Sequence, residues 1–295
     1  MDQLVASLKG TAMPVEASRS RHGMVYIVGA GPGPADLLTL RALDRIQRAE
    51  VVLHDRLIAP DVLALLPPQA ERLYVGKALG HHAVAQAQIH ALLIEQARIG
   101  RCVVRLKGGD PHIFGRGGEE VQALQAAGLS FEVVPGVSAS NGCASAAGIP
   151  LTHRELAHSC TFLSGHLAQG DIDSGANLDW AALARPRQTR VFYMGVERVA
   201  SIARRLIAHG LAPDTPAAIV QDGTRPSQRV WAMGLEALVE QAPPYGPRPG
   251  LLIIGETVAL SPHFVAAVAA SLSPGAKASQ PQEQADHFSG TGREP

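Results

Sequence analysis

The segment Arg105-Leu106-Lys107-Gly108-Gly109-Asp110-Pro111-His112-Ile113-Phe114-Gly115-Arg116-Gly117-Gly118-Glu119-Glu120 sets five glycines, two arginines, a lysine and three carboxylates directly behind the apolar run Cys102-Val103-Val104. No packing argument requires such a mixture. Glycines let the main chain approach a bound molecule and adopt dihedrals that side chains forbid. A strand ending in a polar, glycine-rich turn places those residues where open α/β sheets bind ligands. The segment therefore predicts a ligand-binding loop, with exposed main chain and the Asp110 carboxylate holding a polar ligand by hydrogen bonds and charge pairing. Gly108-Gly109-Asp110 also fits a turn in which the aspartate caps backbone amides.

A second glycine-rich turn, Gly29-Ala30-Gly31-Pro32-Gly33-Pro34, follows the apolar run Val25-Tyr26-Ile27-Val28. It stands where a dinucleotide-binding fingerprint would stand. The last glycine of G-x-G-x-x-G, however, falls on Pro34, and two prolines remove amides that a pyrophosphate would use. Three readings stay open: a tight structural turn, a dinucleotide site, and a loop lining a nucleoside without phosphates. Arg56, Arg116, Arg154 and His166 each fall at the predicted end of an element. There, arginine's planar fork could grip carboxylates in pairs, although each arginine alone reads first as a solvated surface charge and His166 also reads as a satisfied structural histidine. Cys102, Cys143 and Cys160 are odd in number and lack metal-ligand spacing, and the histidines, His81-His82 included, form no metal pattern, so no metal is expected.

The elements that must position these residues read as alternating strands and helices, hence as a parallel α/β architecture in both halves. Strands are expected at Val25 to Val28, Val51 to Leu53, Arg72 to Val75, Cys102 to Arg105 and Phe131 to Val134. Helices are expected from an Asp36 N-cap to about Ala49, with Leu37, Leu40, Ala42 and Leu43 available to pack, and over Ala85 to Arg98 and Glu119 to Ala127, the last closed by Gly128. A second set of strands follows near Thr161 to Leu163, Arg190 to Met194, Ala217 to Val220, Gln228 to Ala232 and Leu251 to Ile254. Val199, Ile202, Ala203, Leu206 and Ile207 keep helical spacing, with Gly210 as the stop. The division expected is a flexible extension over 1–22, an N-terminal lobe over 23–139, a C-terminal lobe over 140–262 and a disordered tail over 263–295, with the active site in the cleft between lobes.

The 295 residues can bury a substantial core. Lys+Arg and Asp+Glu both number 26, so no net field drives the molecule toward nucleic acid or an anionic membrane. No run approaches the roughly 20 apolar residues of a membrane helix, and the cysteine usage suits a reducing compartment. A soluble, cytoplasmic protein is expected.

Five segments together, VGAGPGPADLLTLRAL, YVGK at Tyr74 to Lys77, RLKGGDP-x-IFGRGGEE, VVPGVSA at Val133 to Ala139 and GIPLTHR at Gly148 to Arg154, resemble the uroporphyrinogen-III C-methyltransferases, members of the tetrapyrrole methylases. The likeness runs from about residue 24 to about residue 258 in the family's order. It implies two α/β lobes of the class III methyltransferase type, a homodimer, and methyl transfer from S-adenosylmethionine to C2 and C7 of uroporphyrinogen III, giving precorrin-2 and S-adenosylhomocysteine. It further implies Pro32, Gly108, Gly109, Asp110, Ile113, Ser138, Ala139, Met194 and Gly223 as donor contacts. Arg56, Arg116, Arg154, His166 and Met194 would meet the polyanionic substrate.

The same pattern marks Asp55 and Lys77 for proton transfer. The chemistry needs such a pair, because a methylated pyrrole must lose a proton to regain neutrality. Arginine is a poor base, so Arg116 is expected first to position substrate, with Glu119 orienting it. With no second catalytic module ahead of residue 24, a stand-alone methylase is expected. Rivals are a sister methylase acting on a later corrin precursor, a related ribosomal-RNA methylase, an oxidoreductase disfavoured by Pro34, and a non-catalytic tetrapyrrole carrier. The neutral composition without an aromatic-basic stripe speaks against RNA.

Overall fold

The computed structural model describes residues 22–76, 85–165, 178–240 and 248–272. The expected extension lies outside the described residues except for His22, and so does the expected tail beyond residue 272, but residues 263–272 belong to the helix Pro262–Leu272 and correct the expectation of disorder from residue 263. The first sheet has the order β3-β2-β4-β1-β5, with β1 Val25–Gly29, β2 Val51–His54, β3 Glu71–Tyr74, β4 Val103–Lys107 and β5 Phe131–Val134, all parallel. Alternate residues feed two cores, as a sheet covered on both faces requires. Val28, Val52, Val104, Leu106 and Val134 pack with Ala42 and Ile46 of the helix Leu40–Gln47. Val25, Ile27, Val51, Leu53 and Val103 pack with Ile89, Leu93 and Ala97 of Gln86–Arg98 and with Leu124 of Gly117–Ala126.

The helix after β1 begins later than the sequence pattern indicates. A 3-10 turn covers Ala35–Leu37 and Leu38 is extended, so Thr39, not Asp36, is the N-cap, its Oγ1 accepting the amide of Ala42 at 3.1 Å. The Thr39 hydroxyl satisfies one of the helix's free amides, while no side chain caps the 3-10 turn. The shift also turns Leu40 outward, where it is 58% exposed, and leaves Ala42 and Ile46 as the packing residues.

The second sheet, β6-β7-β10-β8-β9, contains β6 Ser159–Ser164, β7 Gln188–Tyr193, β8 Pro216–Gln221, β9 Arg229–Gly234 and β10 Gly250–Ile254. It corrects the expectation of parallel strands in both halves. Only β6 and β7 are parallel, while β10 runs against β7 and β8, and β9 against β8. The few residues between β8 and β9 are too short for a crossover helix, so a hairpin results. One face packs on the helices Val199–Ala208 and Leu235–Glu240, and the other receives Cys143, Ala144, Ala147 and Ile149 from and just after the helix Ala139–Ala146. Gly210 ends Val199–Ala208 with φ 101°. No helix among the described residues is long and apolar enough to cross a membrane.

Candidate functional site

In the first sheet β1 lies between β4 and β5, so the loops leaving their carboxyl ends must meet. Gly31 and Gly109 form an isolated antiparallel bridge, and the amide of Ala30 donates to the carbonyl of Lys107 at 2.7 Å. Gly109 has φ 67°, left-handed backbone that a side chain strains. Asp110 fastens the third loop: Oδ1 accepts the amide of His112 at 2.8 Å and Oδ2 the amide of Gly136 at 3.1 Å. The capping role is therefore present, and it fixes the loops 30–34, 108–116 and 135–138 as one surface.

The second lobe supplies the facing wall. Ser138 caps the helix Ala139–Ala146, its Oγ accepting the Asn141 amide at 3.3 Å, and the Ser140 amide donates to the Tyr193 hydroxyl at 3.0 Å. Ile113 crosses over to pack against the second-lobe core, and the Phe114 ring lies 4.7 Å from that of Tyr193. Met194 follows directly, with φ 54° and 54% of its surface exposed. A buried core position would hide it; the end of β7 presents it instead. A Cβ on Gly223 would overlap Sγ of Cys143, so this glycine lets the β8–β9 hairpin seat on the helix Ala139–Ala146. Six described residues other than glycine have positive φ, and five of them, Phe114, Arg116, Met194, Asp222 and Thr224, lie in these loops. Each such residue costs of order 1 kcal/mol or more, a concentration of strain typical of ligand-holding loops.

The charged residues divide into three groups. Arg116, at the head of Gly117–Ala126, grips Glu119 through both carboxylate oxygens, Nε to Oε1 at 2.8 Å and Nη2 to Oε2 at 2.7 Å. The pair borders an open recess of 340 Å³ with His112, Gly117 and Gly118. Its hydrogen bonds push Arg116 up and hold the Glu119 carboxyl below the usual carboxylate range. The two contacts hold the Arg116 guanidinium against Glu119. Asp55 follows β2, its Oδ1 accepting the Leu57 amide at 3.0 Å and its Oδ2 facing Arg105 Nη2 at 3.7 Å. Arg56 and Arg154 are exposed, and among the described residues neither has a carboxylate partner. Lys77 and His166 lie outside the described residues, as does the His81-His82 pair. No three His, Cys, Asp or Glu side chains stand together among the described residues as a metal site would need.

Sequence reasoning missed two features. Arg225, in the β8–β9 hairpin, donates from Nη2 to the carbonyl of Leu57 at 2.9 Å and so ties the second lobe to the Asp55 loop. No local signal marks a contact across 168 residues. The other feature is a buried charge cluster. Arg105 and Lys107 project from the same face of β4 onto Oε1 of Glu120, Nε and Nζ both at 3.0 Å, with Glu120 fully buried. Two cations alternating in a strand of otherwise apolar residues could have signalled it, because buried charges require partners.

The profile of the Tetrapyrrole (Corrin/Porphyrin) Methylases matches residues 24–239. The chain belongs to the tetrapyrrole methylases. This methylase is 50% identical over 264 residues to a siroheme synthase of Nitrosococcus oceani, a match covering 88% of the chain and 54% of that relative. It is 53% identical to the siroheme synthase of Ectopseudomonas mendocina, covering 81% and 51%. The chain thus spans about half the length of the curated relatives it matches. Among solved structures, uroporphyrin-III C-methyl transferase from Thermus thermophilus, complexed with S-adenyl homocysteine, is 44% identical with a TM-score of 0.68, covering 80% of the methylase and 93% of that chain. The cobalt precorrin-4 methyltransferase is similar in fold, TM-score 0.70, at 26% identity over 80% of this chain and 95% of that one. The higher identity to the former disfavours a sister methylase of a later corrin precursor.

Proposed function

We propose that this methylase transfers methyl groups from S-adenosylmethionine to C2 and C7 of uroporphyrinogen III, giving precorrin-2 and S-adenosylhomocysteine. The observation that carries the reading is the joined surface of three loops, closed by Gly31, Gly109 and Asp110, in a chain so similar to an enzyme crystallised with S-adenosylhomocysteine. The residues fit a donor without phosphates: Pro32 and Pro34 offer no amides, while each oxygen of Asp110 keeps a lone pair beyond its bond to the main chain. Pro32, Gly108, Gly109, Asp110, Ile113, Ser138, Ala139, Met194 and Gly223 would hold it. The bound donor supplies an electrophilic methyl group.

The chain's own task is orientation, since attack on a sulfonium methyl is an in-line displacement. Arg56, Arg116, Arg154, His166 and Met194 hold the macrocycle, the cations by gripping its carboxylates and Glu119 by aiming Arg116. The exposed rings of Phe114 and Phe162, both beside Tyr193, give the macrocycle an apolar wall. Asp55 accepts the proton that the methylated ring releases, and Lys77 assists that transfer by stabilising the charge that develops. The working unit is a cytoplasmic homodimer of two lobes, 23–139 and 140–262, with no nucleic-acid or membrane partner; the free thiols of all three cysteines support a reducing compartment. Purified protein, uroporphyrinogen III and labelled S-adenosylmethionine mixed without oxygen are expected to yield a dimethylated product. A product methylated elsewhere, or none, would defeat the assignment.

A further inference from the structure

Glu120 belongs to neither the donor surface nor the substrate arginines, yet it is the most buried carboxylate near them. Its Oε1 receives Arg105 Nε and Lys107 Nζ at 3.0 Å and Gln86 Nε2 at 3.3 Å, while Oε2 is buried without a partner. Arg105 continues the chain of contacts. Its Nη1 donates to the carbonyls of Leu53 and Leu106 at 3.3 and 3.1 Å, and its Nη2 faces Asp55. Two buried cations are thus balanced by two carboxylates, one sealed in the core and one, Asp55, at the cleft with 26% of its side chain exposed.

We propose that Glu120 is a positioning residue for the methylase reaction: by neutralising Arg105 and Lys107 it fixes both the orientation of Asp55 and the charge that Asp55 feels. The proposal rests on the reading of Asp55 as proton acceptor. Without Glu120, an uncompensated cation would bear on Asp55; without Lys107, an uncompensated anion would. Lys107 already shows the tension, its ammonium lowered from the usual range by burial and by Arg105, against the pull of Glu120 and Asp55. The other groups around Asp55 are His54 and Arg56 on its own segment, Tyr74 of β3 against the His54 ring, His90 on Gln86–Arg98 bonded to Gln86, and Arg225 on the Leu57 carbonyl.

The test is the pH profile of kcat, whose acid limb reports the base in the enzyme–substrate complex. Glu120→Gln is expected to move that limb to lower pH and Lys107→Met to higher pH, each by roughly one unit, and the double variant to return it near the original. KM for S-adenosylmethionine is expected to change less than about threefold throughout, since no donor contact is removed. An unmoved limb in either single variant, or a double variant displaced as far as they are, would overturn the proposal. Lys107→Met leaves Arg105 and Glu120 paired, so it reports even if Glu120→Gln does not fold. Asp55→Asn separates the two readings. If it abolishes single-turnover proton loss while the limbs stay still, only the role of Glu120 fails; if it is fully active, the proton-acceptor reading fails and this one with it.

Discussion

The amide of Gly109 donates to the carbonyl of Gly31 at 2.6 Å, and the amide of Gly31 returns a bond to the carbonyl of Gly109 at 3.2 Å. This reciprocal pair joins the turn after β1 to the turn after β4. It gives both sequence motifs one purpose, a main-chain platform at the end of the parallel sheet.

Gly109→Ala tests the platform. At φ 67° an alanine costs about 1 kcal/mol in the left-handed region, a modest loss for a fold of this size. S-adenosylhomocysteine affinity measured by calorimetry is expected to fall at least about tenfold, because ligand-holding main chain must stay where it is. Equal affinity with an unchanged melting temperature would show that the loop tolerates movement and does not hold the donor.

A similar logic applies to Gly223 with an internal control. Gly223→Ala drives a Cβ into Sγ of Cys143, and Cys143→Ala removes that sulfur. The single variant is expected to weaken S-adenosylhomocysteine binding and the double variant to recover part of it, since Cα and Cβ of residue 143 stay close, a coupling of about 1 kcal/mol between contacting sites. Additive losses would contradict the contact. Burial pushes the Cys143 thiol up to about 11, so in the native enzyme at pH 8 it should resist alkylation, which mass spectrometry can follow.

Arg116 and Glu119 should separate stability from activity. Both side chains are about half exposed, 56% and 47%, so Glu119→Gln is expected to change unfolding free energy by less than about 1 kcal/mol. It is expected to lower kcat/KM because the guanidinium loses its aim. The sign of the pH effect follows from Glu119 being held below its usual range by Arg116. The pair's contribution is complete above the unfolded carboxylate pKa of about 4.3 and is lost only as pH falls through the lower folded value. Wild type and Glu119→Gln should therefore differ equally from pH 6 to 8. A difference that grows or shrinks across that window would point to another group.

The sequence made the strands of both lobes and the two glycine loops legible because each rests on local rules: apolar runs, caps and turn residues. It misjudged the start of the first helix, where the Thr39 hydroxyl and not Asp36 caps the free amides, and it missed the direction of β9 and β10, which run against β6, β7 and β8 and which tertiary pairing decides. The Arg105–Lys107–Glu120 cluster and the Arg225 tie were hidden for a related reason. Their partners meet only when β4 lies under the helix Gly117–Ala126 and the β8–β9 hairpin reaches Leu57.

Diffraction from crystals grown with S-adenosylhomocysteine tests the central claim most directly. The account expects the adenosyl and amino-acid parts against Gly108 to Ile113, with Pro32, Ala139 and Gly223 around them and Arg116 facing the substrate side of the cleft. An adenosyl group bound away from the Gly31–Gly109 bridge would contradict it.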